Sequence, residues 1–382
     1  MTMDRDAWRP WLERWSEEWI DAHDPERDRP HDDDVLRHRW LGFAPAAPER
    51  IAAAEARLGR ALPPSFREFL LVTDGWRYAG SFIWRLGGAG EIGWMRDLDA
   101  HWIEAYAPNI PARALQISLE GDAAVLFLDP GDVDPDGEWA AYFQASWTGD
   151  GPRRHPSFHA LMRHLYAGFH ALRRPPGPTR DFWTEATERA RLAALAGEVD
   201  GPLEVLEEAC RFGIERARLL RFQMLTLLGN HEMQVQHLLL DEDAWLAGDP
   251  ILEAELLPLL YSEHRRRHQW GGSVLELLKE HGPERLRPLV ARYEARAREP
   301  GHRPRFGPPE FDERVRAVQA GLSLSGMDAA WPALRDAMAF WRPVSEHHIA
   351  PVVLFSDPLL ATLITPERGR EILAVRRWGG PG

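Results

Sequence analysis

The sequence predicts an α+β domain followed by an all-helical region, and three observations carry that expectation. Hydrophobic periodicity is helical up to Asp74-Gly75 and then switches to a period of two, across residues 81–144. A helical period returns at Phe158, Leu161 and Leu165, behind His155-Pro156-Ser157. Beyond the run Arg173 to Pro178 (RRPPGP), a composition typical of domain boundaries, almost every stretch is helical. Helices, then a run of strands, then a closing helix make an α+β arrangement; a doubly wound sheet would alternate the two.

Taken in order, Trp8, Trp11, Trp15 and Trp19 fall on one face of a helix over 6–20. Such a stripe packs onto its own domain or binds a partner helix-first, and Pro10 fits only if it lies in the first turn. Residues 21–34 read as an exposed linker. A short helix at 49–58 stops at Gly59, and a second at 64–73 buries Phe66, Phe69 and Leu70. Strands follow at 81–86, 91–95, 114–118, 123–128 and 138–144. The tail reads as helices at 181–196, 202–212, 215–228, 250–264, 273–281, 284–298, 311–321, 328–341 and 366–376. Asp249-Pro250 and Asp357-Pro358 both look like an N-cap with proline at the first helical position. A helical-repeat array would also place them, but no steady period supports one. The domain expectation is therefore 1–34 as a Trp-rich helix and linker, 35–172 as the α+β domain, and 179–382 as the helical domain.

Length and composition narrow the class. A chain of 382 residues suits two or three domains, and 44% apolar with 27% charged residues is ordinary globular stock. Apolar runs such as Val352 to Phe355 are far short of the roughly 20 residues of a membrane span, and the first residues hold no apolar leader core. Cys210 is the sole cysteine, which excludes an internal disulfide and a multi-cysteine zinc site. A cytoplasmic protein is the default expectation. Lys279 is the sole lysine, more simply a coding bias than a functional choice.

Net charge is −13 and unevenly spread. Residues 91–150 hold 12 acids against Arg96 and Arg113, giving −10, so the other 322 residues carry only −3. A concentrated acidic field repels nucleic acid and attracts basic proteins; the same run could equally be solvated loops.

The order of the elements is itself informative. Arg50-Ile51, Glu55, Leu58-Gly59, Leu62-Pro63, Ser65-Phe66-Arg67, Phe69-Leu70 and Asp74-Gly75-Trp76 resemble the opening of the SUKH superfamily, which includes fungal cell-wall assembly regulators and many bacterial immunity proteins. Asp136-Gly137-Glu138-Trp139, Trp147 and Pro156-Ser157-Phe158 are similar to its later strand and terminal helix. The resemblance covers residues 50 to about 165. It implies a SUKH-like, mainly antiparallel sheet with packed helices, acting as a non-catalytic binding module. It further implies a protein partner, often a basic toxin acting on nucleic acid, which the acidic segment would suit.

Other motifs carry less. Gly88-Ala89-Gly90-Glu91-Ile92-Gly93 fits GxGxxG, but a dinucleotide site needs a helix opening at those glycines, and Glu91 to Met95 reads as a strand. Asp132-Val133-Asp134-Pro135-Asp136-Gly137 matches half of a calcium loop; the twelfth position is Phe143, though Glu138 could add an oxygen. His264 and His268 alone have i, i+4 ligand spacing, with Arg265, Arg266 and Arg267 between them disfavouring a metal. Gly321-Leu322-Ser323-Leu324-Ser325 lacks the final glycine of a nucleophile elbow. Cys210, beside Leu206 and Phe212, reads as a buried apolar side chain.

The expectation is thus a toxin-neutralising immunity-type protein acting by occlusion, with no cofactor, metal, catalytic residue, nucleic acid or membrane. Candidate partner-binding residues are Trp76, Trp84, Trp94, Asp132, Asp134, Asp136, Glu138 and Trp139, the acids steering encounter and the aromatics anchoring it. Each tryptophan suits a core role as well. The alternatives are an intracellular scaffold using the helical domain as a second binding surface, and an enzyme assembled from scattered residues of the helical half.

Overall fold

A computed structural model describes residues 5–26, 28–230, 238–240, 244–267, 273–325 and 327–377. The chain divides into two compact units, Met1–Asp181 and Phe182–Gly382. The architecture is α+β: antiparallel sheets within residues 76–155 with helices around them, then a mostly helical region.

In the first unit, α1 (Arg5–Asp21) carries the tryptophan stripe. Trp8, Trp15 and Trp19 are buried: Trp8 meets Phe69 at 5.4 Å between rings, Trp15 meets Trp76 at 5.8 Å and Tyr166 at 5.0 Å, and Trp19 meets Phe169 at 4.7 Å. Pro10 lies inside this helix, beyond its first turn, where it cannot donate a backbone hydrogen bond. The interlocking rings on the opposite face compensate for that local loss. After α2 (Asp33–His38) come α3 (Pro48–Leu58), closed by Gly59 at φ +71°, and α4 (Pro64–Val72). Phe66 and Phe69 of α4 pack edge-on against Phe158 at 4.8 and 5.0 Å, joining α4 to α7 (Phe158–Arg173).

Two sheets lie between these helices. One has the order β1 (Trp76–Arg77), β2 (Ile83–Leu86), β5 (Ser118–Gly121). The other runs β3 (Gly93–Trp94), β4 (Leu115–Gln116), β6 (Ala124–Val133), β7 (Trp139–Ala145), β8 (Arg153–His155). The single strand expected at 114–118 is instead two, and the chain changes sheets at Ile117. The strand expected at 91–95 shrinks to Gly93–Trp94 and turns into α5 (Met95–Leu98) and α6 (Ala100–Ala105). Leu115 and Gln116 already pair with it, so nothing longer is needed to cover that edge.

Residues outside the sheet are tied in by a buried acid. Glu18 of α1 accepts hydrogen bonds from Tyr166 Oη, from His170 Nε2 at 3.0 Å, and from the Thr179 amide at 3.0 Å. Burial pushes the Glu18 carboxyl up, but those bonds, His170 first, outweigh it and hold the carboxyl below its usual range. The supposed linker is pinned as well, Asp28 being bridged by Arg173.

The second unit continues with α8 (Pro178–Ala196), which spans the boundary, then α9 (Asp200–Arg211) and α10 (Glu215–Leu227). Helices follow at Leu257–Arg267 (α11), Val274–His281 (α12), Arg287–Ala297 (α13), Pro309–Ser325 (α14), Met327–Ala337 (α15), Pro358–Leu363 (α16) and Pro366–Ala374 (α17). The helix expected from 250 opens with a π-turn at Leu252–Leu256 before α11. Pro258, just beyond, has no amide to give, and the wider turn absorbs that defect. Gly369 of α17 lies against α10 so closely that a Cβ there would sit 1.7 Å from the Leu227 carbonyl oxygen. The interior is bridged by Gln223, which accepts from the amides of Ile349 and Ala350, and by Glu255, which accepts from Val353 and meets His348 at 3.1 Å.

Candidate binding face

The β6–β7 hairpin sets the positions of most candidate residues. Asp134 closes its turn, accepting from the amides of Asp136 and Glu138 at 2.9 Å each, while Gly137 takes φ +84°. Asp134 and Asp136 are exposed at the tip. Asp132 faces sideways into the sheet, where Arg154 grips it at 2.6 and 2.8 Å and Tyr142 Oη donates at 2.8 Å. The Arg154 bonds pull the Asp132 carboxyl down to about 2. Burial, then the bond to Asp132, pushes the Tyr142 phenol up to about 12.

Glu138 and Trp139 point inward. Glu138 accepts from the Ser65 amide at 2.7 Å and the Ser65 hydroxyl at 2.6 Å, so it caps the first turn of α4 from another strand. Burial raises its carboxyl despite those bonds. Trp139 is buried, with the Arg60 guanidinium 5.5 Å from its ring. Trp76 is a core residue. Trp84 is half-buried beneath the Arg29 guanidinium at 3.6 Å, and Trp94 is half-buried on the edge strand β3. The eight candidates therefore do not share one surface; Asp134 and Asp136 are the exposed pair.

The opposite end of the hairpin holds residues that pattern reading passed over. Trp147 is 51% exposed and packs at a tilt against Phe82, 4.9 Å between ring centres. The Phe82 carbonyl accepts from the Asp122 amide, and the Ala123 carbonyl accepts from Ser146, which brings both rings to the β5–β6 turn. Glu120 and Asp122 are exposed beside them. A signal was available: Trp147 is followed by Thr148-Gly149-Asp150-Gly151, turn residues that leave a neighbouring ring uncovered.

The acidic segment also divides on inspection. Glu91 pairs with Arg85, Asp97 with Arg96, Asp129 with Arg113 and Asp132 with Arg154. Glu104, Glu120, Asp122, Asp134, Asp136 and Asp150 are exposed and form no ion pair among the described residues. With β6 ten residues long, the Asp122 end and the Asp134 end are about 30 Å apart.

The motif-like stretches are internally occupied. In the glycine loop, the Ala89 amide donates to Asp74 at 2.6 Å and the Gly88 amide to Glu91 at 3.1 Å, so carboxylates take the amides a pyrophosphate would need. Asp132, Asp134 and Glu138 turn to three different sets of partners instead of one cation. His264 Nδ1 meets the Ser273 hydroxyl at 2.7 Å, and His268 lies outside the described residues, as do His231 and His237. Cys210 is half-buried, with burial pushing its thiol up to about 11. No described helix is long and apolar enough to cross a membrane.

A protein-family model, the SMI1 / KNR4 family (SUKH-1), matches residues 45–164, the segment from the start of α3 into α7. Residues 45–164 are a SUKH-1 domain. No curated protein and no solved structure matches the chain. The SUKH-1 family is associated with immunity proteins of toxin systems, is generally non-catalytic, and implies protein binding. Within the first unit, the SUKH-1 segment is bracketed by α1 on one side and the end of α7 on the other, both joined through Glu18.

Proposed function

We propose that this protein is an immunity-type binding protein whose SUKH-1 unit neutralises a basic toxin domain by steric occlusion. The observation that carries the reading is the exposed Trp147 on Phe82 beside Asp122 and Glu120, within a family domain that implies protein binding. An exposed aromatic supplies buried area on docking, and unpaired acids around it steer a basic partner. The exposed pair Asp134 and Asp136 extends the negative potential along the hairpin without an aromatic of its own. Trp84 and Trp94 contribute only their exposed edges, while Trp76, Trp139 and Glu138 support the scaffold from inside.

Co-expression tests this directly. The full chain is expected to rescue growth against a basic toxin domain encoded beside its gene, and Trp147→Ala with Asp122→Lys to lose that rescue while remaining folded. Failure to neutralise any neighbouring toxin domain would remove the immunity reading.

A further inference from the structure

The run Arg265-Arg266-Arg267, which argues against a metal between the neighbouring histidines, ends α11 beside a cavity of about 340 Å³. Tyr261, Ser262, Arg265, Arg266, His302 and Ser356 line it, with Pro258, Pro304 and Pro358 forming apolar walls. Two of the polar atoms at this wall have hydrogen-bonding capacity left over. His302 Nε2 and Ser356 Oγ are both buried and find no hydrogen-bond partner among the described residues. A buried polar atom without a partner is costly, so two around one small cavity mark a place built for something polar.

The charge there is also unbalanced. No carboxylate is among the lining residues. Arg265 forms no ion pair among the described residues, and Arg266 donates to the Phe355 carbonyl at 3.3 Å, a weak and neutral acceptor. A larger cavity of about 780 Å³ shares His302, Tyr293, Pro258 and Pro304 with it. There, by contrast, Arg292 and Arg296 are already taken by Glu253. The larger cavity also has Asp249, Glu253 and Glu255 in its lining, whereas the smaller one has arginines and no carboxylate.

We propose that the cavity between α11, His302 and Ser356 binds a small phosphomonoester. Arg265 and Arg266 would take the phosphate oxygens with charge-assisted bonds, and His302 Nε2 and Ser356 Oγ would donate to the same group. Prolines and the Tyr261 ring would receive a small apolar body, and the volume fits the lower end of ligand pockets. The occupant is small, because guanidinium and hydroxyl donors converge on one cavity instead of tracking along a surface.

Calorimetric titration of the full chain with inorganic phosphate and with phenyl phosphate tests this. Both are expected to bind, phenyl phosphate more tightly. Arg265→Gln with Arg266→Gln should weaken both by about tenfold or more, and Ser356→Ala by a smaller factor. The two arginines are exposed, so the double variant should keep its thermal midpoint in the absence of ligand. Absence of binding at millimolar ligand would overturn the proposal and leave an ordinary water bridging His302 and Ser356. Binding that the double variant leaves unchanged would overturn it equally, as a site elsewhere on the chain.

Discussion

Individual carboxylates in this protein have opposite roles although they sit within a few positions of one another. Asp134 and Asp136 face solvent at a hairpin tip, whereas Glu138, two residues on, is buried against Ser65 and caps α4. Glu138→Ala leaves the Ser65 amide and hydroxyl unpartnered in the interior, and a loss of about 1–3 kcal/mol is expected in chemical denaturation. Glu138→Gln keeps an acceptor for the amide and should retain most of that stability. Because burial raises the Glu138 carboxyl, the folded state binds its proton more tightly than the unfolded chain, so this group lowers stability as pH rises through the carboxylate range, and the Gln variant should lose that dependence. His155 acts at the other end of the scale. It is buried on β8, and burial, then His164 and Arg153, push it down to about 4 from an ordinary 6.5. The unfolded chain therefore binds the proton first, and stability should fall as pH drops from about 6.5 towards about 4, by up to about 1.4 kcal/mol per pH unit. His155→Phe should flatten the slope seen in thermal midpoints measured across that range; an unchanged slope would assign it to other groups, His159 among them.

At the scale of elements, what was legible followed from periodicity, and what was not depended on tertiary partners. The helices at 49–58, 64–73 and 215–228 are visible in apolar spacing and stops such as Gly59, and the structure places them within a residue or two. The switch between sheets at Ile117 left no local trace, since an apolar run reads the same whichever sheet receives it. The π-turn before α11 was equally hidden, although Pro258 supplied its cause. Of the candidate site, the tip acids were readable from turn chemistry, and the turn residues after Trp147 hinted at its exposure, but apolar spacing alone does not separate buried Trp76 from exposed Trp147. That distinction rests on α1, whose tryptophans cover one end of the unit and leave the other open. Glu18 is the joint that holds α1 in place. Glu18→Ala would remove the buried acceptor shared by Tyr166, His170 and the Thr179 amide, and a loss of about 3–5 kcal/mol is expected. Limited proteolysis should then cut within residues 21–32 before the rest of the unit. In the helical unit, Gly369→Ala would force α17 away from the Leu227 carbonyl, costing about 1–3 kcal/mol by thermal unfolding.

For the whole molecule, the net charge of −13 matters through where it stays unpaired. Ion pairs to Arg85, Arg113 and Arg154 remove several acids from the 91–150 segment, and, Glu104 of α6 apart, the remaining exposed unpaired ones lie towards the two ends of one hairpin. Such a surface speeds encounter with a basic partner and loses that advantage as salt rises. The proposed partner face lies in the first unit and the proposed phosphate cavity in the second, so substitutions at one can be tested without altering the other. The most direct measurement is the association rate of the full chain with a basic toxin domain encoded beside its gene, the proposed partner, followed across ionic strength for the native protein and for Asp122→Lys with Trp147→Ala. A rate that falls steeply with salt in the native protein, and a slower, flatter dependence with faster dissociation in the variant, is the predicted result. Identical rates and salt dependence for the two proteins would contradict the assignment of the binding face.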